Sequence, residues 1–188
     1  MQFAARHANR TVGLLLECAV SQCYRPEVSA FVKALFLSDY GTYLQARLGM
    51  RLPKLFAREI IRQESTLRGA ELGRRAAELV ADPAKLRVLE ILVSSVTPYD
   101  LCGEGLENDL VQLGAIEVLP FENVTAPTLV LHGTEDADVS FADAEHSAAS
   151  IQDARLAAIE GGWHVLPLSK QSAEAAKERL SFLHGLPS

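Results

Sequence analysis

The spacing of apolar positions along this chain changes twice. Near the start they run almost without interruption, Thr11 to Ala19 reading TVGLLLECA, as a strand buried on both faces of a parallel sheet does. A short helix over Met1 to Asn9, with Phe3, Ala4 and His7 on one side, leads into it. From Ser21 to about Pro120 the spacing becomes helical. Val28, Phe31, Val32, Leu35 and Phe36 mark one helix over Pro26 to Leu37, and Leu55, Phe56, Ile60 and Ile61 mark another over Pro53 to Gln63. Ala70 to Val80 is a third. Pro83 to Ser95 is a fourth, opened by Asp82 as N-cap with Pro83 at the first helical position.

After Pro120 short strands alternate with helices. Pro127 to Leu131 (PTLVL) reads as a strand closed by His132-Gly133, and a polar loop over Thr134 to Ser140 leads to a helix from about Ala142 to Ile151. A strand over Arg155 to Ile159 follows, then Gly161-Gly162-Trp163-His164. The last helix covers about Ser172 to Leu183, with Ala176, Leu180 and Leu183 expected to face inward. This order predicts an α/β fold with a mainly parallel sheet and a helical insertion, divided near 1–20, 21–120 and 121–188. A helix followed at once by a buried strand is half of a βαβ unit, so a preceding strand is expected before Met1.

Composition agrees with a globular protein. Of 188 residues, 48% are hydrophobic and 22% charged, which excludes disorder, collagen-like sequence and a multi-span membrane protein. The net charge of −6 and the scatter of the basic residues argue against nucleic acid as a partner. In the helical block Arg47, Arg51, Arg58, Arg62, Arg68, Arg74 and Arg75 alternate with Glu59, Glu64, Glu71 and Glu78. Such mixing reads as a solvated, ion-paired face rather than a phosphate-binding surface. Cys18, Cys23 and Cys102 lack the spacing of a zinc site or redox pair, so reduced thiols are expected, with Cys18 in the core. The early apolar stretch Val12 to Leu16 stops at Glu17 and has no signal-peptide pattern, so a cytoplasmic location away from membranes is expected.

Two loops carry candidate chemistry. Each follows the carboxyl end of an expected parallel strand, where ligands gather in such folds. HGTEDADVS places Asp136 after Gly133, and EGGWHVLPL places His164 after two glycines that allow a tight turn. Parallel strands bring both loops to one edge. A carboxylate that accepts the Nδ1 proton fixes the imidazole tautomer and leaves Nε2 as a base toward a nucleophile. Glu135 and Asp138 compete with Asp136 and read as solvent-facing residues or helix caps. His132 reads as structural, and Trp163 as packing near the site.

Pro127-Thr128-Leu129-Val130-Leu131-His132-Gly133, then Asp136 and Val139, then Gly161-Gly162-Trp163-His164 resemble the carboxyl-terminal signature of α/β-hydrolases, whose triad runs Ser, Asp, His along the chain. The resemblance covers nearly the whole chain. FAARHANRTVGLLLECAVS is similar to the helix after the nucleophile elbow and the sixth strand, and the helical block to the inserted cap, or lid. The implied fold is a partial α/β-hydrolase, its carboxyl-terminal strands joined to an all-helical cap. Ser140 stands where the family usually has Pro. No Gly-x-Ser-x-Gly elbow occurs, and the alignment places one upstream of Met1. Ser21, after the sixth strand, is in the wrong topological position to replace it.

The resemblance implies hydrolysis of an ester or related small substrate, with Asp136 and His164 as the catalytic residues present and no cofactor or metal. Weaker pocket candidates are Trp163, Tyr99 and Asn108, the last in a GLENDL element where helix N-capping is the favoured reading. Alternatives are a non-catalytic fragment or subunit that needs a homo-oligomer or a complementing amino-terminal half, and a dehalogenase, epoxide hydrolase or cofactor-free oxygenase of the same fold.

Overall fold

A computed structural model of the protein describes residues 1–26, 38–95, 101 and 103–187. In chain order the elements are α1 (Gln2–Arg6), β1 (Leu14–Glu17), α2 (Asp39–Arg51), α3 (Pro53–Glu64), α4 (Gly69–Ala81), α5 (Pro83–Ser95), α6 (Gly103–Gly114), β2 (Thr128–Gly133), α7 (Phe141–Ser150), β3 (Ala154–Ile159) and α8 (Ser172–His184). They form two compact units. The first comprises Met1–Gln22, Gln63–Thr66 and Ile116–Ser188, and the second Cys23–Arg62 and Leu67–Ala115. Gln63–Thr66, inside the expected helical block, thus groups with the sheet.

The first unit is built on a parallel sheet of order β1-β2-β3, with Leu16 opposite Val130 and Leu131 opposite Ala157. Every residue of central β2 is buried, as its apolar sequence requires. The alternation of strand side chains then divides the core. Val130 and Leu16 face a cluster with Ala4, Phe121, Val124, Ala144 and Ile151. Leu129 and Leu131 face the opposite cluster with Ile159, Leu166 and Ala175. Helix α7 therefore covers one face through Ala144, and α8 the other through Ala175. Ser140 caps α7 by accepting from the Ala142 amide at 3.3 Å.

β1 is shorter and less buried than its apolar run suggests, with only Leu16 fully covered. It pairs on one side only among the described residues, and it stops at Cys18, whose φ of 46° turns the chain out of the strand. The chain is then pinned to the first turn of α7. The Ser21 amide donates to Asp143 Oδ1 at 2.7 Å, and the buried Ser21 hydroxyl donates to the Asp143 carbonyl at 2.9 Å.

The inward stripe of α8 differs from expectation. Leu180 and Leu183 are exposed, whereas Ala175 is fully buried and Phe182 packs beside it. Between them Arg179 lies 3.4 Å from Glu17 of β1. A stripe made of one small residue, one paired charge and one aromatic is invisible to a count of large apolar side chains.

In the second unit, α3, α4 and α5 occupy the expected places. They bury Ala57 and Ile61, then Leu72, Ala76 and Leu79, then Leu89. Asp82 caps α5, accepting from the Ala84 and Lys85 amides at 2.9 and 3.3 Å. Three arginines are ion-paired along their own helix, Arg62 with Glu59, Arg74 with Glu71, and the half-buried Arg75 with Glu71 and Glu78. Helix α2 was not among the expected elements; Tyr40, Tyr43, Leu44 and Leu48 recur along it at helical spacing, but all four are exposed. Apart from Pro26, the helix expected over Pro26 to Leu37 lies outside the described residues, as does Cys102.

Because Leu131 is fully buried in the central strand, Leu131→Ala is expected to destabilise the protein by about 2–5 kcal/mol. A urea unfolding curve with an unchanged midpoint would contradict its place in the core.

Candidate active site

The site is made by two backbones that pass unusually close. At the end of β2, a β-carbon on Gly133 would lie 2.4 Å from the carbonyl carbon and oxygen of Gly162. No side chain fits there, so only glycine lets the loop after β2 meet the loop after β3. Gly161 takes a φ of 70°, which a glycine adopts without strain. Three hydrogen bonds then join the loops. Thr134 N donates to the Ile159 carbonyl at 3.1 Å, Gly161 N to Thr134 Oγ1 at 2.9 Å, and Glu135 N to the Gly162 carbonyl at 2.8 Å.

Within that frame Asp136 and His164 meet. Asp136 Oδ2 lies 3.0 Å from His164 Nδ1, with the carboxylate fully buried and the imidazole about a quarter exposed. Asp136 Oδ1 accepts from the Asp138 and Val139 amides, both at 2.9 Å. Its Oδ2 also lies 3.3 Å from His132 Nε2. Burial alone would raise the Asp136 pKa. The bonds from His132, His164 and the Val139 amide outweigh it and hold the group well below the usual carboxylate range. At His164 burial opposes the charged form, but the bond to Asp136 and the charges of Asp136, Asp138 and Glu64 prevail and raise its pKa. With Nδ1–H donating to Asp136, Nε2 is the basic nitrogen, and it lies 3.5 Å from Asp138 Oδ2.

Other expected residues fall elsewhere. Trp163 is buried beside His164 in the chain. Asn108 is an exposed residue inside α6 and not its N-cap, because the helix already begins at Gly103. Tyr99 lies outside the described residues. Ser21 is committed to Asp143. The second unit holds an apolar groove of about 330 Å³, lined in part by Phe56, Leu86, Leu89 and Val93. Asp136, His164, Trp163 and Asn108 are not among the residues that line it.

Three contributors escaped the sequence reading. His132 is fully buried against Asp136 and its Nε2 lies 3.1 Å from the Val139 carbonyl, so this strand residue supports the acid directly. Cys18 lies beside the same carboxylate, its thiol pushed up to about 12 chiefly by burial. Glu64, grouped by spacing with the exposed acids, instead places a half-buried carboxylate near His164, and burial together with Asp138 raises its pKa. The donor atoms of Glu64, Asp138 and His164 lie within 4.8 Å of one another, as do those of Cys18, His132 and Asp136. In the second set the thiol stays protonated and Asp136 is already engaged on both oxygens. In the first set the His164 ring is engaged by Asp136 through Nδ1 and lies 3.5 Å from Asp138 through Nε2, and the charge of Asp138 opposes ionisation of Glu64.

No model of a known protein family and no curated protein matches the sequence. Solved structures do. An alpha/beta hydrolase fold protein from Nakamurella multipartita aligns with 97% of this chain and 63% of its own, at 30% identity and a TM-score of 0.83. An esterase from Rhodococcus aligns with 98% of this chain and 60% of its own, at 16% identity and a TM-score of 0.57. An alpha/beta hydrolase enzyme from a Medee basin deep-sea metagenome library aligns with 100% of this chain and 61% of its own, at 14% identity and a TM-score of 0.57. The chain therefore spans about three fifths of the structures it matches.

The pair ties stability to pH. His164 titrates higher in the fold than in the unfolded chain, so its contribution is complete below about pH 6.5 and fades as the pH rises through the folded value. Asp136 titrates lower in the fold, so its contribution is complete above the unfolded carboxylate value and fades only in strong acid. Melting temperatures recorded from pH 6 to 9 are expected to fall, and His164→Ala to flatten that fall. An equal slope in the variant would contradict the ion pair.

Proposed function

The chain carries part of the α/β-hydrolase fold, and from that premise we propose that it supplies the acid and the base of a Ser-His-Asp hydrolase acting on an ester or related small substrate. The observation that supports this most is the 3.0 Å contact between Asp136 and His164 at the carboxyl ends of parallel strands. In this reading His164 Nε2 takes the proton of a serine hydroxyl as it attacks the ester carbonyl, and Asp136 stabilises the imidazolium that forms. The imidazolium then protonates the departing alkoxide. Water, activated by the same nitrogen, releases the acyl group and restores the serine.

The serine and the oxyanion donors come, in this proposal, from sequence outside these 188 residues. One observation favours a complementing segment. β1 pairs only with β2 among the described residues, and an open strand edge is a template for another strand. A strand-bearing amino-terminal half, or a second copy, would close that edge. The identity of the nucleophile would then separate an esterase from a dehalogenase or epoxide hydrolase, where an aspartate takes its place.

Co-expression with an amino-terminal segment that carries a Gly-x-Ser-x-Gly elbow tests the proposal. The assembled protein is expected to hydrolyse p-nitrophenyl butyrate, with Asp136→Asn lowering kcat by about 10⁴-fold and His164→Ala by about 10⁶-fold. Equal rates in the parent and His164→Ala would contradict the assignment. Hydrolysis by the 188-residue chain alone, abolished by His164→Ala, would place the nucleophile inside it.

A further inference from the structure

At the end of α3 the chain makes a short excursion that the two site loops use as a brace. Residues Gln63–Thr66 group with the sheet unit although both flanks belong to the helical unit. Their backbone is bonded to each loop. The Glu64 carbonyl accepts from His164 N at 3.2 Å and from Ala137 N at 3.3 Å, Thr66 N donates to the Glu135 carbonyl at 3.1 Å, and Ser65 pairs antiparallel with Asp136. Ser65 is fully buried in this arrangement. One carbonyl thus holds the backbone of the histidine and of the residue after the acid. The side chain of the same residue points its charge at the same place, since a Glu64 oxygen, an Asp138 oxygen and a His164 ring nitrogen lie within 4.8 Å of one another.

We infer that Glu64 is a positioning residue of this site, its carbonyl fixing the acid and histidine loops and its carboxylate favouring the protonated imidazole of His164. The inference deepens the reading of His164 as the base and takes that role from it. The titratable groups around the ring are Asp136 and Asp138 from the loop after β2 and Glu64 from the brace, with His132 and Cys18 behind Asp136. Asp136 fixes the tautomer through Nδ1, whereas Glu64 and Asp138 act through space as negative charges. Through-space attraction of this kind depends on charge and is lost when the carboxylate becomes an amide. The carbonyl brace is unaffected by that change.

Titration of the His164 imidazole by NMR in the 188-residue chain separates the two contributions, and it needs no turnover, so its failure is distinct from a failure of the hydrolase reading. Glu64→Gln keeps the backbone and the volume, and is expected to lower the His164 pKa by roughly half to one unit. Glu64→Asp, which keeps the charge, is expected to restore part of that shift. A His164 pKa unchanged in folded Glu64→Gln would overturn the inference. The parent chain provides a second test that does not depend on a variant folding. The His164 resonances are expected to show a second, smaller inflection at the pH where the Glu64 side-chain carbon titrates, and a single-step curve with no such inflection would overturn the electrostatic role.

Discussion

At Gly133 the end of β2 runs so near Gly162 that a β-carbon would fall 2.4 Å from its carbonyl, and the meeting of Asp136 and His164 depends on that approach. Because the backbones touch there, the Glu135 amide reaches the Gly162 carbonyl and the Gly161 amide reaches Thr134. Those bonds bring the two loops into one register. Asp136 then has a buried position three residues after the strand, and His164 a position from which Nδ1 meets it. A larger residue at Gly133 or Gly162 would separate the loops before it disturbed the side chain of Asp136 or His164.

A buried carboxylate is costly unless its oxygens are satisfied. Asp136 has two amides on Oδ1 and two imidazoles near Oδ2, which is why it stays ionised where burial alone would favour the neutral acid. This matters for chemistry. An ionised Asp136 can only accept at Nδ1, so the proton sits on Nδ1 and the free lone pair on Nε2. The surrounding carboxylates then stabilise the charge that His164 acquires when it takes a proton. Structure and electrostatics therefore favour the same proton position.

The parts of this arrangement that could be read from sequence are those that depend on local order along the chain. Asp136 and His164 follow short apolar strands through glycine-bearing turns, so strand, turn and candidate residue appear in one window. Asp82 before Pro83 marked a helix start in the same way. His132, Cys18 and Glu64 were not legible as site residues. His132 reaches Asp136 because the chain turns back after β2, Cys18 because β1 lies beside β2, and Glu64 because the end of α3 returns to the sheet. None of these is a property of spacing. Likewise Ala175, Arg179 and Phe182 make up the inner face of α8 through size, charge pairing and shape, where large apolar residues pointed to Leu180 and Leu183.

The central claim is that Asp136 holds the imidazole of His164 with its proton on Nδ1. Long-range ¹⁵N–¹H correlation spectra of the folded chain, recorded above the pKa of His164, report the tautomer directly. The account predicts a protonated Nδ1 and an unprotonated Nε2 in the parent chain, with Asp136→Asn releasing that preference. A neutral His164 that carries its proton on Nε2 would contradict it.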